Sequence, residues 1–211
     1  MRMVGARWRK TADRLLPNLC YEREVMFRNS TMPTAPKLNS ALVDFIHAQR
    51  MFFVATAAAD GRVNVSPKGL ESLRVLSETK IIWLNLTGSG NETAAHVREL
   101  PRMTLMFCAF DGEARILRVY GEARVFHPTD EGWNQLAGQF PAMAGTRQIF
   151  ELDIDLVQTS CGTGVPILEF VAERGPTEML PFYEEMGKDG VAAYWKRRNS
   201  RSLDRKETGI V

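Results

Sequence analysis

At 211 residues and 45% hydrophobic content the chain can bury one sizeable core, and a formal charge of +2 is too small for a general nucleic-acid footprint. The charge is uneven: residues 1–31 carry seven Arg or Lys against three Asp or Glu, and the other 180 carry 20 against 22. Three cysteines (Cys20, Cys108, Cys161) without a CxxC pair argue against a disulfide framework and a zinc site, no apolar run reaches the length of a membrane span, and no apolar segment follows the first basic residues as it would in a secretory signal. A reducing, cytoplasmic setting is therefore expected, and with it no glycan at the sequons of Asn85 and Asn91.

In chain order, residues 1–37 read as a basic, turn-rich, poorly ordered extension. Apolar residues at Leu38, Ala41, Leu42, Phe45 and Ile46 behind Asn39 predict a capped amphipathic helix. MFFVATAA (51–58) and RVNVS (62–66) flank Asp60-Gly61 and predict a β-hairpin. KIIWLNLT (80–87) is the next strand, and 91–100 a helix stopped by Pro101. MTLMFCAF (103–110) and ARILRVYGEARVF (114–126), joined through Asp111-Gly112, predict a second hairpin. Thr129 then caps a helix with an apolar face of Trp133, Leu136, Ala137 and Phe140, and RQIFELDIDLVQTS (147–160) alternates as a strand. Short helices are expected near 177–187 and 189–198. Six to seven hairpin-linked strands predict a mainly β (α+β) antiparallel barrel with peripheral helices. The expected organisation is an extension over 1–37, a barrel over 38–165 and a helical appendage with a basic tail over 166–211.

Two stretches carry candidate anion chemistry. Ser66-Pro67-Lys68-Gly69, read as a turn leaving a strand, offers a hydroxyl and an ammonium. Thr87-Gly88-Ser89-Gly90-Asn91 leads from a strand into a helix, with Ser89 and Glu92 spaced as a capping box. The free amides and dipole of that helix start suit an anion, with Thr87, Ser89, Asn91 and Thr93 as neutral donors. A capped helix with no ligand remains an equal alternative. Neither a P-loop nor a dinucleotide fingerprint is present. Arg115 and Arg118, three apart on a strand, face opposite sides, so at most one serves a given site. The three histidines show no metal-ligand spacing and no metal is expected; His96 reads as a surface residue, Cys161 as a small buried thiol, and KRRNSRSLDRK (196–206) as a solvated tail rather than a nucleic-acid contact.

The succession FFVATAAADGRVNVSPKG, IIWLNLTGSGNETAAHVRELPRMTLMF and ILRVYGEARVF resembles the pyridoxamine 5′-phosphate oxidase-like family of FMN-binding split barrels over roughly residues 38–165. The resemblance implies a homodimer with FMN in a groove at the subunit interface and a small-molecule substrate. It implies that Val65, Ser66, Pro67 and Lys68 lie along the flavin, Lys68 toward the phosphate, and that Thr87, Gly88, Ser89, Asn91 and Thr93 wrap the phosphate. An FMN-dependent oxidoreductase is the expected activity; a non-catalytic module for flavin, deazaflavin or haem is the alternative. Three departures stand out. Asn91-Glu92-Thr93 replaces the Arg-Lys pair of good FMN binders, Ile116 stands where the oxidase has a flavin-contacting glutamine, and the oxidase's C-terminal substrate motif is missing. Lys68 is then the one obvious cation, and pyridoxamine phosphate is not the expected substrate.

Overall fold

The structure is a computed structural model that describes residues 33–211. The expectation for the extension falls almost wholly on residues 1–32, outside the described residues. Eight strands form one antiparallel sheet: β1 (Thr34–Ala35), β2 (Phe52–Thr56), β3 (Asn64–Lys68), β4 (Leu73–Ser77), β5 (Lys80–Leu86), β6 (Arg102–Cys108), β7 (Arg115–Phe126) and β8 (Thr146–Cys161). Their order is β3-β2-β6-β7-β8-β5-β4, with β1 added to β8. The helices are α1 (Ser40–Ala48), α2 (Glu92–Glu99), α3 (Trp133–Ala137) and α4 (Leu180–Tyr194), the last flanked by π-helical turns at Gly175–Met179 and Trp195–Asn199. This is a mainly β split barrel with peripheral helices, and β3 and β4 are its two edges.

The expected local signals act as read. Asn39 Oδ1 accepts the Leu42 N–H and caps α1, whose Leu42 and Ile46 are buried. β2 and β3 pair as the predicted hairpin, from Phe52 opposite Lys68 to Thr56 opposite Asn64. Gly61 in the turn has φ 88°, open to glycine at little cost. Ser66–Lys68 is not a turn but the end of β3, with Pro67 opposite Phe53. An edge strand tolerates a residue with no N–H to give. Trp83 stacks on Phe150 (centroids 4.5 Å apart), and Phe52 stacks on Phe107 (5.8 Å) inside the barrel. On the other face of the sheet Ile82, Leu84 and Ile149 meet Trp133, Leu136, Ala137 and Phe140, the predicted apolar face. Gly132, not Thr129, starts that helix.

β8 is the 16-residue spine, pairing with both β5 and β7. Two irregularities shape it. The register slips at Tyr120/Gly121, where a Cβ on Gly121 would lie 1.9 Å from the Asp153 carbonyl oxygen, so only glycine permits this approach. It slips again beside Asn85/Leu86, which oppose Gln148 and Thr146 and leave Arg147 as the extra residue. That second bulge matters for the site.

Candidate functional site

A cleft of about 780 Å³ opens between β3, the end of β5, the start of α2 and the segment after α4. It brings together Ser66, Pro67, Lys68, Thr87, Gly88, Ser89, Asn91 and Thr93, eight of the nine residues expected at the site. The side chain of Val65 lies on the other side of β3 and is 60% exposed.

The glycine loop is held from three directions. Thr87 takes the Trp195 Nε1–H on its hydroxyl (2.7 Å) and the Tyr183 hydroxyl on its carbonyl (2.8 Å). Asn199 Nδ2 donates to the Gly88 carbonyl (3.0 Å), and Arg147 Nη1 donates to the Gly90 carbonyl (2.9 Å). With these three carbonyls engaged, the loop keeps the N–H groups of Gly88, Ser89 and Gly90 and the Ser89 hydroxyl for a ligand. A Cβ at Gly88 would have no heavy atom within 4 Å, so the backbone there is bare to the cleft.

The capping box does not form. Asn91 is the N-cap residue and makes no side-chain cap bond; its Nδ2 donates instead to the Asn199 carbonyl (3.3 Å). Both Glu92 carboxylate oxygens accept the Leu203 N–H (3.0 Å each). The C-terminal segment thus takes the groups that would have capped the helix locally. Its chain is pinned further by the Arg62–Asp204 ion pair, by Lys206 to Asp60 (2.5 Å) and Glu99 (2.6 Å), and by the buried Asn199 and Thr208. The basic stretch 196–206 is therefore a wall of the cleft and not a solvated tail, and Arg197, Arg198 and Arg201 line that wall.

Lys68 is consequently not the one cation. Arg147, 3% exposed, also lines the cleft, and its Nε has no hydrogen-bond partner. Burial lowers its pKa to about 10, which leaves it charged at neutral pH. Sequence reading misses Arg147 because strand alternation alone does not mark a bulge residue.

Lys68 Nζ donates to Asn85 Oδ1 (3.1 Å), whose Nδ2 donates to Gln148 Oε1 (3.2 Å), and it sits 5.3 Å from the centre of the Trp83 ring. Burial, and secondarily the Arg147 charge, lowers its pKa from 10.5 to about 8. The unfolded chain therefore binds this proton more tightly. A penalty of about 3 kcal/mol is fully present below pH 8 and is relieved as pH rises toward 10.5. Lys68→Met should raise the stability of the ligand-free protein by about 1–2 kcal/mol at pH 7, the lost Asn85 bond offsetting part of the relief. The gain should shrink with rising pH. Thermal melts at pH 7 and 9.5 check this; a destabilised variant at pH 7 would mean the ammonium is well compensated.

Other candidates lie elsewhere. His96 is buried, not on the surface, with Nδ1 3.1 Å from Thr56 Oγ1. Arg115 pairs with Glu113, and Arg118 donates to Ser160 Oγ (3.0 Å). Cys161 is exposed rather than buried, its Sγ 3.1 Å from Thr163 Oγ1. Among the described residues no helix is long and apolar enough to cross a membrane.

Known proteins are similar to this chain to different depths. A pyridoxamine 5′-phosphate oxidase family protein of Aspergillus flavus, ustO, is 38% identical over 184 residues, covering 79% of this chain and 74% of that protein. Among solved structures, a candidate pyridoxamine 5′-phosphate oxidase from Lactobacillus delbrueckii is similar at 22% identity and a TM-score of 0.47, covering 58% of this chain and 94% of that one. A pyridoxamine 5′-phosphate oxidase-related, FMN binding protein from Nostoc punctiforme is similar at 14% identity and a TM-score of 0.45, covering 57% and 82%. The family pattern described as pyridoxamine 5′-phosphate oxidase matches residues 38–161, from the residue before the Asn39 cap to the last residue of β8. On that match and the fungal relative, the chain belongs to the pyridoxamine 5′-phosphate oxidase family.

Proposed function

We propose that this protein binds FMN in the cleft and uses it as an oxidoreductase on a small molecule. The observation that carries the reading is the meeting of a bare glycine loop at a helix start with a buried arginine whose Nε is unpartnered. A phosphate monoester satisfies both: it accepts from loop amides and from a guanidinium, and the positive end of α2 favours its charge. Ser66, Thr87, Ser89, Asn91 and Thr93 add neutral polar groups, and Val65 and Pro67 contribute backbone along β3. Glu92, whose carboxylate oxygens already accept from Leu203, is partly screened from the phosphate by that contact.

Bound FMN would supply the two-electron chemistry, while the chain supplies binding, orientation and electrostatics. A homodimer is part of the proposal. Val65 on the edge strand β3 and Val63 just before it, 60% and 71% exposed, form an apolar strip that a second subunit would cover. The test is direct. Denatured purified protein should release FMN in mass spectrometry, and ligand-free protein should quench added FMN fluorescence with saturation. Release of a deazaflavin would reassign the cofactor, and no flavin binding at all would end the reading.

A further inference from the structure

The cleft is chemically two-ended. At the glycine loop stand Arg147 and, on the C-terminal wall, Arg197, Arg198 and Arg201. Away from the loop the lining is apolar: Leu70 of the turn between β3 and β4, Met179 of the turn preceding α4, and Leu84 of β5, whose N–H donates to the Ser72 carbonyl. Leu70 packs so closely on Gly175 that a Cβ there would lie 2.5 Å from its methyl carbons, which ties this end to the turn preceding α4. Lys68 belongs to the second end. Its ammonium reaches Asn85 and the Trp83 ring, three and five residues down β5 from Gly88. At about 3.3 Å per strand residue, Asn85 lies roughly 10 Å along the chain from Gly88, the bare glycine of the loop that would hold a phosphate.

That ammonium is unfinished. It has three donors, and a single hydrogen bond, to a neutral amide, is formed. No carboxylate among the described residues pairs with it, although it is part-buried and its pKa is lowered chiefly by desolvation. A buried cation without a counter-charge is retained at a cost, so a ligand group rich in acceptors should complete it. A phosphate is already provided for at the other end. A flavin ring offers a different set of acceptors, the carbonyl oxygens and ring nitrogens of its pyrimidine edge.

Resting on the FMN reading, we infer that Lys68 recognises the carbonyl-bearing edge of the flavin ring, and that the phosphate is left to the glycine loop and the arginines. Lys68 is then a ring-recognition residue and Arg147 a phosphate-recognition residue. The lowered pKa of Lys68 leaves its charge in place at neutral pH.

Riboflavin has the same ring and ribityl chain without the phosphate, so it separates the two ends. Dissociation constants for FMN and riboflavin, by fluorescence quenching at pH 7, are compared for the full chain, Lys68→Met and Arg147→Met. Lys68→Met should weaken both ligands by the same factor, about tenfold or more. Arg147→Met should weaken FMN and leave riboflavin unchanged. Lys68→Arg, which keeps charge and donors, should recover part of the loss for both ligands. A Lys68→Met protein that loses FMN affinity and keeps its riboflavin affinity overturns the assignment in favour of a phosphate contact. Unchanged binding of both ligands overturns it in favour of no contact. A full chain that binds neither ligand instead removes the FMN reading itself.

Discussion

A chain ending at Tyr194 should bind FMN at least about 100-fold more weakly than the full chain and melt at a lower temperature. Binding falls for two reasons that act together. Arg197, Arg198 and Arg201 leave the cleft, and a charge-assisted bond to a phosphate is worth about 1.5–3 kcal/mol. Glu92 also loses the Leu203 N–H that occupies its carboxylate, which frees an anion beside the proposed phosphate position. Stability falls because Thr87, Gly88 and Asn91 lose the partners supplied by Trp195 and Asn199. Each such buried group costs about 1–3 kcal/mol when left unmade, less where water enters. The two causes of weak binding can be told apart. Adding Glu92→Gln to the shortened chain should recover part of the FMN affinity and none of the arginine contribution. The measurements are FMN fluorescence quenching and a thermal melt. A shortened chain that folds and binds FMN as tightly as the full one would return the basic stretch to the status of a tail.

Much of the barrel is legible in the sequence because its elements are specified locally. The Asn39 cap and the 38/42/46 stripe, the Asp60-Gly61 hairpin and the strand over 147–160 rest on short-range signals, and each element appears where expected, although 147–152 are buried throughout rather than in alternation. What escapes is long-range. LRVLS of β4 is a short edge strand with no fully buried residue, only Leu73 and Val75 packing on the core, so its period is faint. α2 looks like a surface helix, yet Thr93 to Val97 are five consecutive buried residues, because the barrel covers one side and the C-terminal segment reaches the other through Glu92 and Glu99. The partners of that segment, Asp60, Glu92 and Glu99, are more than 100 residues away in the chain, so its charge looks unopposed in sequence. The site shows the same division. The glycine loop and Lys68 are visible as motifs; Arg147 is visible only once the β5–β8 bulge is known.

Arg147→Met should weaken FMN by about 10–100-fold while leaving the ligand-free protein as stable as before, or slightly more so. The opposite signs follow from what surrounds the guanidinium. It is 3% exposed, makes one bond to the Gly90 carbonyl, leaves Nε without a partner and has no carboxylate beside it among the described residues. Replacing a buried, poorly compensated charge by an apolar side chain of similar length is commonly neutral or stabilising. The freed Gly90 carbonyl costs about 1 kcal/mol against that gain, less if water from the cleft reaches it. Binding runs the other way, since the phosphate loses the one deeply buried guanidinium that lines its end of the cleft. Arg147→Lys should fall between the two: it restores a charge but not the planar fork that meets two phosphate oxygens at once. A melt of the ligand-free proteins and FMN dissociation constants at fixed ionic strength are the readouts. If Arg147→Met unfolds the ligand-free chain, the guanidinium is holding the glycine loop through Gly90 as a structural strut. If it neither unfolds the chain nor weakens FMN, the phosphate is bound without it.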